Sequence, residues 1–391
     1  MDYAFSPEDE AFRAEVRAFL KEALPSDWAV RRAGDDDGDD DSSQEFQEHF
    51  HKRLAEKGWL VVSWPKEYGG QEWSYLRQVV FSEEIAYHQA PKPDGIATRM
   101  VGSLLIAHGT DEQKRRFLPP IANADVKWCQ LFSEPNAGSD LASLSTTAED
   151  QGDYFLLNGS KVWSSFAHLA DWGFLLARTN TEAPKHKGLS YFFLDMTLPG
   201  IVVRPLISMV GVHRFNQVFF DNVRIPRDCL VGGKDEGWTL STSVLNVERS
   251  GVTAASSSSR MLEEMIAFAN DSTNGVRWTP ELRHRMADLF TQVSVARNQS
   301  YRIAWMQTED IQFSHEASVN KLFTSELSQR IAQFGMDLMG LYGQVQRGDS
   351  WSPLRGKIER NYKTTVASTI AGGTSEIQRN VIAKRGLGLG R

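Results

Sequence analysis

The sequence predicts an α+β multidomain protein, with an all-helical N-terminal domain over 1–127, a middle β-sandwich or barrel over 128–235, and a helical C-terminal domain over 236–391. Three observations carry that prediction. Apolar residues recur at helical spacing through the first third of the chain. Past Trp128 the pattern changes to short runs rich in aromatic and β-branched residues, bounded by Gly, Asn, Asp or Pro. From Gly237 helical periodicity returns in long segments and lasts almost to the end.

Ser6-Pro7-Glu8-Asp9 opens the first helix: a hydroxyl cap, a proline where no amide donor is needed, and acids facing the helix dipole. Phe12, Val16, Phe19 and Leu20 share one face, and Pro25 ends the helix. Helical patterns follow over 44–57, 75–88, 101–108 and 111–122, the last capped by Thr110, with a turn at 64–70 in between. Strands are expected over 154–158, 172–179, 189–195, 201–205 and 218–224. Within the first helix of the last third, Gly251, Ala254, Ala255 and Ser258 put small residues on one side, where another helix or a flat ligand can approach. The serines at 256–259 form helix poorly and need packing to hold them. Breaks are expected at 271–280 and 343–353.

At 391 residues, 41% hydrophobic and 24% charged, this is the composition of a globular protein with a sizeable core. The net charge of -7, spread along the chain, argues against a nucleic-acid footprint, which would need a basic face. Part of that charge is the run Asp35-Asp36-Asp37-Gly38-Asp39-Asp40-Asp41, read as a solvated loop. Two cysteines, Cys129 and Cys229, give no disulfide framework and fit a reducing, cytoplasmic compartment. No apolar run reaches the ~20 residues of a membrane span, and the N-terminus lacks the features of a signal peptide.

The chain has no Gly-x-Gly-x-x-Gly after a strand, no P-loop, no His-Glu-x-x-His, no Gly-x-Ser-x-Gly elbow and no His/Cys spacing for a metal site. It carries instead three loops of small and hydroxylated residues. Ser133-Glu134-Pro135-Asn136-Ala137-Gly138-Ser139-Asp140 can present several amides and hydroxyls together. Lys161-Val162-Trp163-Ser164-Ser165 joins hydroxyls to an indole wide enough to cover a planar ring. In Ile370-Ala371-Gly372-Gly373-Thr374-Ser375-Glu376-Ile377-Gln378, two glycines permit close backbone approach and the hydroxyls can cap a helix. Together they suit a flat, phosphate-bearing cofactor.

With these loops in order, the chain resembles the acyl-CoA dehydrogenase family over nearly its whole length. Gly109-Thr110-Asp111-Glu112-Gln113-Lys114, with Phe117-Leu118-Pro119, resembles the segment closing the family's N-terminal domain. Ser133 to Asp140 and Asn158 to Trp163 resemble its two flavin-contacting stretches, and Gly373 to Arg379 its C-terminal signature. The resemblance implies a C-terminal four-helix bundle, FAD bound between the β and C-terminal parts and across a subunit boundary, and an acyl-CoA substrate. It implies cofactor contacts at Phe132, Ser133, Ser139, Trp163, Ser165, Gly340, Thr374 and Glu376, and substrate contacts at Ser139, Leu245 and Arg249. Electron-transfer flavoprotein is the implied electron acceptor.

The implied reaction removes the α proton of an acyl thioester while the β hydride passes to FAD, giving the trans-2-enoyl-CoA. An α proton is weakly acidic, so a base must be held at the carbon. Many family members carry a glutamate immediately before Gly-Thr in the C-terminal signature, where this chain has Gly372. In the isovaleryl and long-chain branches the glutamate precedes an arginine on a C-terminal-domain helix, and Glu248-Arg249 matches that place. Glu248 is therefore the expected base, its pKa raised by an apolar setting. Two departures concern FAD: Asn270 to Trp278 replaces an Arg-x-x-Phe-Gly motif, and Asp337-Leu338-Met339-Gly340-Leu341 a Gln-x-x-Gly-Gly motif. They resemble a bacterial subgroup whose members pair with a related subunit as α2β2 and act on bulky acyl-CoA such as steroid side chains. The expected assembly is a homotetramer or such a heterotetramer. A non-catalytic subunit of a heteromer and an oxidase on the same fold are the alternative readings.

Overall fold

A computed structural model describes residues 5–28, 41–244, 251–311, 313 and 315–390. The acidic run through Asp40, and Leu245, Glu248 and Arg249, lie outside the described residues. By packing, the chain divides into two units, one of 1–36, 73–92 and 249–391, the other of 37–72 and 93–248. Helices from the N-terminal third therefore contribute to both.

In the second unit, α2 (Asp41–Glu56), α4 (Gly102–His108) and α5 (Asp111–Ala122) flank the strands β1 (Trp128–Leu131), β2 (Thr147–Asp150), β3 (Tyr154–Lys161), β4 (Trp172–Arg178), β5 (Leu189–Asp195), β6 (Ile201–Leu206), β7 (Phe215–Pro226) and β8 (Leu230–Val231), and α6 (Gly237–Val244) follows them. The strands pair in the order β6-β7-β3-β2-β4-β5-β8, with β1 added parallel to β4 in the register Trp128↔Trp172. Five strands match the expected segments. β1, β2 and β8 are additional.

β4 and β5 are buried on both faces, which is why they read as unbroken apolar runs rather than alternating ones. One face sets Leu175, Ala177, Phe192 and Leu194 against Phe155, Leu157, Val218 and Phe220. The other packs Phe174, Leu176, Tyr191 and Phe193 against helical residues including Leu104, Phe117 and Ile121. The Phe117 ring lies edge-on at 5.0 Å from both Trp172 and Phe193. α5 begins with the expected cap, elaborated into a box in which Thr110 and Gln113 each bond the other's amide.

In the first unit, α7 (Val252–Asn270), α8 (Pro280–Thr308), α9 (Glu316–Met339) and α10 (Lys357–Ser368) enclose an apolar core containing Leu262, Met265, Val293, Ala296, Leu327, Ile331, Phe334 and Ile358. Gly251 is left-handed at φ +68° and caps α7, so it precedes that helix rather than lying within it. The small-residue face begins instead with the buried Ala255 and Ser258. α1 (Pro7–Ala23) starts as expected, Ser6 accepting from the Asp9 amide at 3.1 Å, and buries Phe12, Val16, Phe19 and Leu20. Between α1, α3 (Tyr75–Tyr87) and α8, Arg13 donates to Glu83 and Glu84 at 2.9 and 3.0 Å, Arg17 to Glu84 at 2.9 Å, and the Tyr301 hydroxyl to Glu83 at 2.6 Å. Among the described residues, no helix is long and apolar enough to cross a membrane.

Candidate functional site

The segment after β1 and the end of β3, which the sequence offers as two separate loops, are joined into one piece. Glu134 and Ala137 exchange backbone hydrogen bonds of 3.1 Å each, closing a tight turn over Pro135-Asn136. The Val162 amide donates to the Ser133 carbonyl at 2.8 Å. Beneath them lies an ion pair: Lys161, fully buried, donates to Glu134 at 2.9 Å and to the Phe132 carbonyl at 3.0 Å. The Glu134 carboxylate also accepts from the Ser145 amide and hydroxyl, at 2.7 and 2.8 Å, and from the Thr146 amide at 2.9 Å.

Burial alone would raise the Glu134 carboxyl, but the Lys161 charge and these donors outweigh it and hold it at about 2. Burial pulls the Lys161 ammonium down to about 8, against the opposing pull of Glu134, so both groups are charged at neutral pH. Gly159 makes the junction possible. At φ +138° it lies against Thr146, and a Cβ there would fall 2.6 to 2.9 Å from Thr146 atoms.

Past Lys161 the chain makes a strained turn. Trp163 has φ +60°, leaves 57% of its surface exposed, and meets Phe215 edge-on at 5.8 Å. Asn216, fully buried, anchors the segment beyond the indole: its carbonyl accepts from the Ser164 amide at 3.0 Å, and its side-chain amide donates to the Ser164 carbonyl at 3.0 Å. The same side chain bridges His213 at 2.8 Å and His168 at 3.0 Å, whose rings stack at 3.9 Å. The result is a projecting indole on a rigid base, with the half-buried Ser165 two residues on and Ser133 bonded next to Val162.

In the other unit, Gly372 and Gly373 are left-handed at φ +66° and +90°. Lys321 donates to the Gly373 carbonyl at 2.7 Å, and Gln378 to both glycine carbonyls at 3.2 Å. Thr374 caps α11 (Ser375–Val381), accepting from the Ile377 amide at 3.2 Å. The exposed Glu376 carboxyl is lowered by its own backbone amide and then by the Thr374 hydroxyl. Gly340 ends α9 at φ +57°, ψ −136°.

The structure brings Ser133, Trp163 and Ser165 onto one support and leaves Ser139 exposed at the end of the same loop. Phe132 is placed differently from the others: its ring packs in the core at 5.3 Å from Phe174 and 5.6 Å from Tyr191, so only its main chain faces the junction. Gly340, Thr374 and Glu376 belong to the other unit. Among the described residues no cluster of His, Cys, Asp or Glu is able to hold a metal ion. Three supporting residues were not singled out from the sequence: Glu134, Lys161 and Asn216. A signal existed for two of them, since Lys161 continues the inward row of Phe155 and Leu157, and Asn216 that of Val218 and Phe220.

The chain is similar to known proteins over nearly its whole length. The family profiles described as acyl-CoA dehydrogenase N-terminal, middle and C-terminal domains match residues 6–125, 129–223 and 235–387. Acyl-CoA dehydrogenase IpdE1 of Mycobacterium tuberculosis is 37% identical over 394 residues, covering 98% of each chain. Among solved structures, the Tcur3481-Tcur3483 steroid ACAD superposes with a TM-score of 0.90 at 32% identity, covering all of both chains. The ChsE4-ChsE5 complex from Mycobacterium tuberculosis gives 0.88 at 30% identity, again over all of both chains. The chain therefore belongs to the acyl-CoA dehydrogenase family of FAD-dependent oxidoreductases.

Proposed function

We propose that this protein dehydrogenates an acyl-CoA thioester to the trans-2-enoyl-CoA, with Glu248 as the base that takes the α proton. The observation that carries this reading is the single support formed by the Ser133 loop and the Trp163 turn. Its residues fit FAD. The indole is exposed, the Ser164 hydroxyl is buried with no hydrogen-bond partner among the described residues, and a Cβ at Gly138 would meet nothing within 4 Å. Ser133, Trp163 and Ser165 would hold the ring, the Phe132 main chain and Ser139 its surroundings, and Gly340, Thr374 and Glu376 the polar chain. When bound, FAD supplies the acceptor for the β hydride.

The chain's own contribution is to orient the thioester and to move the α proton. Trp163 shields the reacting face from water, Ser139, Leu245 and Arg249 are assigned to the acyl-CoA, and Glu248 accepts the proton as the α C–H bond breaks. Gly372 supports assigning the base elsewhere than in the C-terminal loop. Its φ of +66° suits glycine and would strain a glutamate. The domain boundaries 1–127, 128–235 and 236–391 belong to the same reading.

Two of the solved structures similar to this chain carry the names of paired proteins, Tcur3481-Tcur3483 and ChsE4-ChsE5. We infer a multimer with a related subunit, of α2β2 form, in the cytoplasm, passing electrons to an electron-transfer flavoprotein. The exposed apolar residues Leu341, Tyr342, Trp351, Tyr362, Val366 and Ile370 support an interface on the helical unit.

Glu248→Gln tests the base. The variant should retain FAD and bind acyl-CoA while anaerobic flavin reduction falls by about 10²–10⁴-fold, the share of a positioned general base. Reduction at the wild-type rate would sink the assignment.

A further inference from the structure

The turn that carries Trp163 and Ser165 is left-handed at two places. Trp163 at φ +60° and Phe166 at φ +54° both hold a conformation that bulky side chains avoid, and they bracket Ser164-Ser165. Strain of this kind persists only where the surroundings impose it. Here three hydrogen bonds to the chain entering β7 do so. The Ser164 amide donates to the Asn216 carbonyl at 3.0 Å, the Asn216 side-chain amide to the Ser164 carbonyl at 3.0 Å, and the Phe166 amide to the Arg214 carbonyl at 2.8 Å. The half-buried Ser165 therefore has a tethered neighbour on each side.

Asn216 is 0% exposed, and its side chain is engaged at both ends. The carboxamide oxygen can only accept, so His213 presents a protonated Nε2 to it at 2.8 Å. The carboxamide nitrogen can only donate, so His168 presents an unprotonated Nδ1 to it at 3.0 Å. An aspartate in this place would accept at both ends and a leucine would do neither; the carboxamide alone satisfies both rings and still has a proton for the Ser164 carbonyl. Its plane is fixed by these partners, and with it the bond that closes the strained turn.

We propose that Asn216 is a positioning residue for the reaction: through the main chain of Ser164 it holds the Ser165 hydroxyl and the Trp163 indole against the flavin ring, touching neither cofactor nor substrate itself. The inference rests on the FAD site proposed above. Without the donated bond the two left-handed residues relax, and Ser165 moves with them. The acyl-CoA contacts assigned to Ser139, Leu245 and Arg249 lie elsewhere in the sequence and do not depend on it.

The test compares FAD-loaded wild type with Asn216→Asp, Asn216→Ser, Ser165→Ala and the double variant Ser165→Ala/Asn216→Ser. Asn216→Ser removes the carboxamide without adding charge, and it decides the matter where Asn216→Asp fails to fold. Three quantities are read: anaerobic flavin reduction at saturating acyl-CoA, calorimetric Kd of the acyl-CoA, and the visible absorption spectrum of the flavin before any acyl-CoA is added. Reduction in the Asn216 variants should fall about 10- to 100-fold, the cost of a small misplacement of a reacting partner, while the acyl-CoA Kd stays put. Their flavin spectrum should shift as that of Ser165→Ala does, and the double variant should be no slower than the slower single one, because both act through the same hydroxyl. Independent, additive losses, an unchanged spectrum, or a Kd weakened as much as the rate overturn the proposal. If the wild type binds FAD but no thioester reduces it, while the shared spectral shift persists, the reaction assigned above is wrong and the role of Asn216 stands.

Discussion

Lys161→Met removes the cation beneath the junction of the Ser133 loop and the Trp163 turn and leaves Glu134 charged in the core. Lys161 is fully buried and the Glu134 side chain is 5% exposed, so solvent gives neither group much relief. Breaking a buried pair from one side costs about 3–5 kcal/mol. The carboxylate keeps its donors from Ser145 and Thr146, which places the loss near the lower end, at about 3 kcal/mol. For a unit of this size that is a fall in Tm of roughly 6–12 °C, read by circular dichroism.

The pH dependence makes the test sharper. In the wild type the Glu134 carboxyl is lowered from 4.5 to about 2, so its stabilisation is present above 4.5 and is lost as pH falls towards 2. Without Lys161, burial dominates and the folded pKa rises, so the variant gains stability as pH falls. The gap between wild type and Lys161→Met should therefore narrow between pH 7 and 4. Adding Glu134→Gln to the variant should recover part of the loss, because no unpaired charge remains. A Lys161→Met protein within about 1 kcal/mol of wild type at pH 7, or a double variant less stable than the single one, would refute the reasoning.

Gly159→Ala should destabilise by about 2 kcal/mol or more, because alanine is strained at φ +138° and its Cβ would drive Thr146 away from Glu134; urea unfolding measures it, and an unchanged midpoint counts against the junction. Glu84→Gln should cost about 2 kcal/mol at pH 7, discounted because Arg17 is exposed whereas Arg13 is not. Burial raises the Glu84 carboxyl, but bonds from His88, Arg17 and Arg13 hold it at about 2, so the deficit should shrink in acid melts as pH drops from 4.5 towards 2.

Much of the fold is legible because long helices repeat their signal. The Ser6 and Thr110 caps and the buried face of α1 need only neighbouring residues, and they stand where the spacing puts them. β1 and β2 escape for two reasons. Each has four residues, and neither shows clean alternation: β1 is nearly all buried, while Thr147-Ala148-Glu149-Asp150 is mostly polar. The left-handed Gly251 escapes because its place is set by Asn320, whose amide nitrogen would lie 2.5 Å from a Cβ there. At the site, the sequence identifies the loops that show hydroxyls and an indole, but not what holds them. Glu134 and Lys161 stand inside two of those loops, and their pairing comes from the fold alone.

The double-sided burial of β4 and β5 also constrains the order in which the protein can be made. α4 and α5 leave the ribosome before the strands that cover their apolar face, and β1 must wait for β4 before it has a partner. α1 and α3 wait longer still, since the Tyr301 that completes their charged network lies on α8. The N-terminal third is thus completed only when later segments have been made, which leaves part of its apolar surface uncovered during synthesis.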